Sequence, residues 1–353
     1  MPKGKVSRAS PQRGEFALIE SLRVRYGSED SGLIRGIGED AAVIKTPTPD
    51  WLVLTTDLLA EGVHFDLATT AIEDVGYRAA VANLSDIASM GARPRYLFVA
   101  LAIPPAIDVE EIQRFYRGLM QACRPFEVHL AGGDTSASIR DLFISITLTG
   151  TVEEKRALRR DGARPGDWLY VTGTLGDSRA GLMILTQARQ QSARPVSRPR
   201  RRAVDRFLLQ RHHRPTARVD EGRWLATTGL ATAAIDLSDG LAGDVRHLCT
   251  QSRVGAELDR AALPISRSCT MFARRRALDP ADLALTGGED YELLFTVRPS
   301  DRARLERQAT RMRYHCTCVG QIKPASFGVQ IRAADGSLRP LVTESYEHFR
   351  TAT

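Results

Sequence analysis

What this 353-residue chain lacks narrows its chemistry before anything it contains does. There is no Gly-x-x-x-x-Gly-Lys-Ser/Thr loop, which removes nucleotide binding of the Walker type. Neither His-Glu-x-x-His nor Gly-x-Ser-x-Gly occurs, so the marks of zinc proteases and α/β-hydrolases are missing. The pair Gly36 and Gly38 lacks the third glycine and the preceding strand that a dinucleotide fingerprint requires. Cysteine is sparse: five residues, odd in number and scattered, with Cys316-Thr317-Cys318 at the wrong spacing for a zinc knuckle. Free thiols in a reducing cytoplasm are the expectation. No apolar run approaches the roughly 20 residues of a membrane span. Met1 to Arg13 carry four basic groups and no apolar core, which excludes a secretory signal and predicts a disordered tail over residues 1–13.

Charge is present but uneven. The net charge of +7 is the usual footprint of a nucleic-acid partner. Its distribution argues against one. Between Arg189 and Arg223 stand eleven arginines against Asp205, Asp220 and Glu221, and without that stretch and the basic tail the chain is mildly acidic. The Arg/Pro/Ser insertion at about 190–202 has few aromatics to stack on bases and no apolar period, so it reads as a solvated surface segment and no nucleic-acid partner is expected. Hydrophobic content of 43% and charged content of 26% fit a globular chain, long enough for two domains.

Local patterning predicts α/β (α+β) architecture in both halves. Helices are expected at Glu15 to Tyr26, Ile72 to Gly91, from Asp108 as a cap to about Cys123, from Arg179, around Phe207 and Trp224, and up to about Gln251. Strands are expected at Trp51 to Asp57, Tyr96 to Ile103, Glu127 to Ala131, Leu142 to Gly150, Trp168 to Thr172, Ala231 to Ile235, Gly255 to Leu258, Glu292 to Val297, His315 to Ile322 and Val329 to Ile331. Gly132 to Ser136 reads as a turn between two of them. The charged, turn-rich stretch from Glu153 to Pro165 suggests a boundary near residue 150, dividing the chain into 14–150 and 151–353.

The recurring theme is a carboxylate at the end of an apolar strand: Asp40, Asp57, Asp86, Asp134, Asp236, Asp239, Glu289 and Asp290, with hydroxyls beside them at Thr55, Thr56, Ser85, Thr135 and Ser238. Each has a plain structural reading as a turn or helix-cap residue, Asp239 among them, and His64 reads equally as a half-buried histidine. Taken together they suit an oxygen-only site for Mg²⁺, because converging anions are costly without a cation between them. A metal-bridged polyphosphate needs no P-loop.

Longer blocks carry a resemblance. Gly-Ile-Gly-Glu-Asp-Ala-Ala, Thr-Thr-Asp-Leu-Leu-x-Glu-Gly-Val-His-Phe, Asn-Leu-Ser-Asp-Ile-Ala-Ser-Met-Gly-Ala, Gly-Gly-Asp-Thr, Thr-Gly-Thr-Leu-Gly-Asp-Ser, Asp-Leu-Ser-Asp-Gly-Leu and Gly-Gly-Glu-Asp-Tyr-Glu-Leu-Leu-Phe follow one another in an order that resembles the thiamine-monophosphate kinases. That family belongs to the ATP-binding superfamily that includes aminoimidazole ribonucleotide synthetase. The likeness runs from about Gly14 to Phe349, leaving out the tail and the Arg-rich insertion. One departure is visible, Gly38-Glu39-Asp40 where Gly-Asp-Asp is usual.

The resemblance implies Mg²⁺-dependent transfer of the ATP γ-phosphoryl group to thiamine monophosphate, the last step of thiamine diphosphate biosynthesis. It implies magnesium ligands at Asp40, Thr55, Thr56, Asp57, Asp86, Asp134 and Asp236, with Asp239 holding a further ion. It places ATP against Tyr116, Gly133, Asp134, Arg160 and Ser238, and the acceptor against His64, Glu289 and Tyr346. Asp57, Asp134, Asp239 and Arg160 are the groups nearest the chemistry. It further implies a two-domain fold like that of aminoimidazole ribonucleotide synthetase, with an N-terminal domain whose sheet pairs across a homodimer, a covering C-terminal domain, and a cytoplasmic location. The alternative is another enzyme of the superfamily acting on a different phosphorylated or acyl substrate. A selenophosphate synthetase would carry a reactive residue in an N-terminal Gly-rich loop, and this sequence has no cysteine before Cys123; a carbamoyl-dehydrating maturation enzyme would end in cysteine, and this sequence ends Thr351-Ala352-Thr353.

Overall fold

Two sheets and ten helices make up the described residues of this computed structural model, which are 15–26, 31–192 and 203–342. The N-terminal tail, residues 193–202 of the Arg-rich insertion, and Tyr346 lie outside the described residues. The first half holds helices α1 (Glu15–Tyr26), α2 (Ile72–Ser89) and α3 (Val109–Cys123) with strands β1 (Leu33–Arg35), β2 (Ala42–Ile44), β3 (Asp50–Ala60), β4 (Arg93–Ile103), β5 (His129–Ala137) and β6 (Phe143–Glu153). These strands form one sheet in the order β1-β2-β3-β6-β4-β5.

The second half holds strands β7 (Trp168–Thr172), β8 (Ala231–Leu237), β9 (Gly255–Asp259), β10 (Glu292–Val297), β11 (Cys316–Lys323), β12 (Val329–Arg332) and β13 (Leu338–Pro340). Around them lie helices α4 (Asp177–Ser192), α5 (Ala203–His213), α6 (Val219–Thr228), α7 (Leu241–Ser252), α8 (Arg267–Arg275), α9 (Pro280–Thr286) and α10 (Arg302–Met312). The second sheet runs β13-β12-β9-β11-β7-β10-β8. Among the described pairs only β4–β5 and β9–β12 are parallel, so both sheets are mixed. This is the α/β (α+β) architecture that the patterning predicts.

Helix α2 is the element on which both halves close. Thirteen of its 18 residues are buried, which requires cover on nearly every side. It lies on β3 and β6, runs against α3, and on its other flank meets α6 and β8 from the second half. The small residues of its sequence permit this. A Cβ on Gly76 would stand 2.1 Å from the Phe115 carbonyl oxygen, and one on Gly118 of α3 would stand 1.7 Å from that of Glu73, so the two helices touch backbone to backbone. Asp108 starts α3 with a capping box, accepting from the Glu111 amide at 2.8 Å while Glu111 accepts from the Asp108 amide at 3.2 Å. The main apolar core is continuous from Val53, Ile87 and Phe115 in the first half to Trp224 and Phe295 in the second.

Two differences from the sequence reading have physical causes. Gly132 to Ser136 is not a turn but the middle of β5, beside β4. The glycines are there because a Cβ on Gly133 would meet the Val99 carbonyl oxygen at 1.8 Å. Helices α8, α9 and α10 were not expected. Only Leu305 and Ala309 of α10 are buried, too few to leave an apolar stripe in the sequence. No described helix is long and apolar enough to cross a membrane.

Candidate active site

Strand β3 delivers the first two groups of the site. Its side chains alternate, so Thr55 and Asp57 face α2 while Thr56 turns to the opposite, exposed face, where its hydroxyl accepts from Thr147 Oγ1 at 3.1 Å. Thr55 donates its hydroxyl hydrogen to Asp86 of α2. Ser85, the neighbouring residue, donates at 2.8 Å to Asp236 at the end of β8. Asp40 arrives from the turn before β2. Among the described residues, Asp40, Asp86 and Asp236 offer carboxylate oxygens that all lie within 4.8 Å of one another.

Such a cluster opposes its own ionisation. Asp57 is pushed up to about 6 by burial and then by the charge of Asp236. Burial, followed by Asp57 and Asp236, drives Asp86 well above the usual carboxylate range, against the pull of the Thr55 hydrogen bond. Asp236 is raised by burial in spite of Ser85 and Arg160. A fourth buried carboxylate shows the contrast. Burial alone would raise Glu292 as well, but Arg218 at 2.5 Å and Arg211 at 2.8 Å outweigh it and hold its pKa below the ordinary value. At Glu292, then, the fold neutralises a buried anion with two arginines; at the cluster, among the described residues, Arg160 alone pairs with a carboxylate, Asp40, and it donates to the Gly38 carbonyl at 3.2 Å. Asp40 Oδ2 is buried without a hydrogen-bond partner. A hard cation with oxygen ligands fits this donor set, and Mg²⁺ is the one whose preference for few carboxylates matches it.

A cleft of about 600 Å³ opens beside the cluster. Asp57, Asp86 and Asp236 line it, with Ser238 and Asp239 past the end of β8. His64, Ser178, His212 and Glu289 line it as well, and the Glu289 amide donates to the Ser238 carbonyl at 2.8 Å, joining the two segments. Glu289 adopts a left-handed backbone with φ 63°, uncommon for a side-chain-bearing residue and of the kind found at binding sites. Next to it, Asp290 accepts from the Gly176 amide at 2.6 Å and the Ser178 amide at 3.1 Å, pinning the loop before α4. His64 accepts at Nδ1 from the Ala60 amide at 3.0 Å, and its carbonyl accepts from Arg78.

Of the residues singled out from sequence, the cleft and its floor gather Asp40, Thr55, Thr56, Asp57, His64, Asp86, Arg160, Asp236, Ser238, Asp239 and Glu289, although the Thr56 hydroxyl points to the other face of the sheet. Tyr116 on α3, and Gly133 and Asp134 on β5, do not line it. The register carries Asp57 through Ile146 and Val99 to Gly133, three strand spacings or about 14 Å away. Asp134 alternates to the other face of that sheet, in a strand whose nine residues are all exposed. Tyr346 lies outside the described residues. Sequence reasoning missed Arg78, His212 and Asp244, the last a buried carboxylate of α7 that accepts from the Gly240 amide at 3.1 Å and whose pKa is raised by burial, then by Asp239 and Asp236. Arg78 had a signal: a guanidinium among Val75, Gly76, Ala79 and Ala80 on a buried helix needs a partner inside the fold. His212 and Asp244 had none.

With this geometry in place, likeness to other proteins is informative. Residues 38–152 match the family of AIR synthase related proteins in its N-terminal domain, and residues 164–332 match its C-terminal domain. A thiamine-monophosphate kinase of Escherichia coli strain K12 is 39% identical over 96% of this chain and 99% of its own length. One from Haemophilus influenzae is 37% identical over 96% and 98%. A solved structure described as "AaThiL complexed with AMPPCP and TMP" superimposes with a TM-score of 0.83 at 34% identity, over 98% of this chain and all of that one. The carboxylate cluster and the full-length likeness agree, and the chain belongs to the thiamine-monophosphate kinase family.

Proposed function

We propose that this chain transfers the γ-phosphoryl group of ATP to thiamine monophosphate, releasing thiamine diphosphate and ADP. The observation that carries the reading is the convergence of Asp40, Asp86 and Asp236 within 4.8 Å beside a cleft that also holds Asp57, His64 and Glu289. Support comes from the solved relative described with AMPPCP, a non-transferring ATP analogue, and TMP.

Asp40, Asp57, Asp86 and Asp236 would hold magnesium with the Thr55 hydroxyl; Thr56, whose hydroxyl faces away, would contribute through its main-chain oxygen; and Asp239 would take a further ion. Bound magnesium neutralises the phosphate oxygens and the charge that develops during in-line displacement. The chain's own groups orient the partners. An acceptor phosphate already presents a nucleophilic oxygen at neutral pH, so no side chain has to remove a proton; positioning and charge neutralisation supply the rate. His64 faces the acceptor phosphate and Glu289 the organic part of the acceptor. Arg160, paired with Asp40 beside the cluster, is the cation assigned to the nucleotide phosphates, while Arg179 and Arg189 also line the cleft. Ser238 lines the cleft next to Asp239.

Tyr116, Gly133 and Asp134 enter this scheme through a homodimer. Strand β5 is an outer strand of its sheet, wholly exposed, beside exposed Tyr96 and Phe98, an edge that a monomer would be expected to cover. Pairing of two copies there would bring Asp134 to a shared nucleotide. The reading also places the enzyme in the cytoplasm, in keeping with five free cysteines.

The test is direct. Purified chain with ATP, Mg²⁺ and thiamine monophosphate is expected to yield thiamine diphosphate and ADP in equal amounts. ADP without thiamine diphosphate, or turnover only on another phosphorylated acceptor, would overturn the reading.

A further inference from the structure

His212 is held between two partners that leave it one tautomer. Arg78 Nη1 lies 2.9 Å from His212 Nε2, and a guanidinium can only donate, so Nε2 accepts. Burial, then the charges of Arg78 and His213, keep the imidazole neutral by holding it well below its ordinary pKa. Its one ring hydrogen therefore sits on Nδ1, which is 3.0 Å from Ser178 Oγ and 3.6 Å from Glu289 Oε2. Ser178 accepts the shorter bond. Its own hydroxyl hydrogen is left to give, and no other hydrogen bond of Ser178 Oγ is formed among the described residues. Ser178 is 1% exposed yet lines the cleft, as does Glu289. One wall of the cleft thus presents a committed donor next to a committed acceptor.

We propose that Ser178 and Glu289 read the edge of a 4-aminopyrimidine, Ser178 donating to the ring nitrogen and Glu289 accepting from the neighbouring exocyclic amine, with Arg78 and His212 as positioning residues that fix the direction of the Ser178 hydrogen bond. The inference rests on thiamine monophosphate as acceptor, whose pyrimidine carries such an edge, and adds which atoms discriminate. A phosphate suits this wall poorly, because the Glu289 carboxylate would face another anion. A 4-oxopyrimidine reverses both bonds: its ring N–H meets the Ser178 hydrogen, and its carbonyl meets the Glu289 carboxylate. A site built around buried directional hydrogen bonds rejects such an analogue strongly, because its own groups are left unpaired.

The experiment compares kcat/KM for thiamine monophosphate and its 4-oxo analogue, oxythiamine monophosphate, at saturating ATP. The full chain is used as wild type, S178A, S178T, H212A and E289Q, with a melting temperature for each. Wild type is expected to favour the amino substrate by about 100-fold or more. S178A should lose about tenfold of that preference through KM for the amino substrate, with KM for ATP unchanged, and S178T should restore it. H212A, which frees the Ser178 hydroxyl to rotate, should also narrow the preference. E289Q can turn its amide NH₂ to the carbonyl and should raise the oxo analogue relative to the amino substrate. A wild type inactive on thiamine monophosphate overturns the kinase reading and this inference together. An active wild type whose preference is unchanged in a folded S178A overturns this inference alone; should S178A fail to fold, an unchanged preference in E289Q does the same.

Discussion

Ser85 Oγ donates a 2.8 Å hydrogen bond to Asp236, joining the buried middle of α2 to the end of β8. One partner comes from the first sheet's domain and the other from the second, and Asp86 follows Ser85 directly. The carboxylate cluster is thus assembled only when the two halves of the chain dock, and the cost of bringing its charges together falls on folding.

That cost makes a trade between stability and rate. In Asp86→Asn the buried charge and its repulsion with Asp57 and Asp236 are gone, while the amide oxygen can still accept from Thr55. In EDTA at pH 8 the variant is expected to melt above wild type. With Mg²⁺ its turnover should fall by about 100-fold or more, and the stabilisation that Mg²⁺ gives wild type by mass action should shrink. Calorimetry with and without metal, beside a product assay, checks all three. A variant that melts lower in EDTA would contradict the electrostatic account.

Asp290 supplies a pH test away from the cluster. Burial pushes its carboxyl up to about 7, against Arg211 and the two amide donors. The unfolded value is about 3.9, so the folded chain binds the proton more tightly between those limits. Stability from this group is therefore greatest at low pH, falls as pH rises from about 4 to 7, and levels off above. The lead of wild type over Asp290→Asn in melting temperature should be larger at pH 5 than at pH 8. An equal lead at both would be inconsistent with a protonated Asp290.

Helix contact gives a third expectation. The Cβ of Gly118→Ala would lie 1.7 Å from the Glu73 carbonyl oxygen, a backbone atom that cannot step aside. Forcing α2 and α3 apart should cost about 3 kcal/mol, read as a shifted denaturation midpoint with an unchanged slope. Because α2 carries Asp86, turnover should fall in the variant even where it remains folded.

Mixing tests the dimer. If Asp134 serves the site of the second copy, Asp57→Asn and Asp134→Asn, each inactive alone, should complement when unfolded and refolded together. Half the dimers would be mixed and one of their two sites intact, giving about a quarter of wild-type activity. No recovery would leave Asp134 to its own chain's site or to none.

Much of this was legible beforehand. Strands such as β7 and β10 stand where their apolar runs said, because residues buried on both faces of a sheet leave an uninterrupted signature. Asp40, Asp86 and Asp236 were legible as chemistry, since a carboxylate closing an apolar strand or set in a buried helix is conspicuous. Their convergence was not, as 46 residues separate the first pair and 150 the second, and only docking joins them. The Arg78–His212–Ser178 chain was invisible for a related reason: its members come from α2, α5 and α4, and the direction of each hydrogen bond exists only once all three meet. The glycines of β5 misled because glycine usually marks turns, whereas here it admits a neighbouring strand.

Helix α2 has one more consequence. In the proposed scheme Arg78 anchors the wall that would face the organic end of the acceptor, and Asp86 the floor where phosphates would be held. Eight residues at 1.5 Å each put them about 12 Å apart along the axis of a single rigid rod. The helix is a ruler. It fixes the spacing between the two ends of a molecule that can satisfy both anchors, so an acceptor much shorter or longer between ring and phosphate cannot reach them together, whatever its affinity for either.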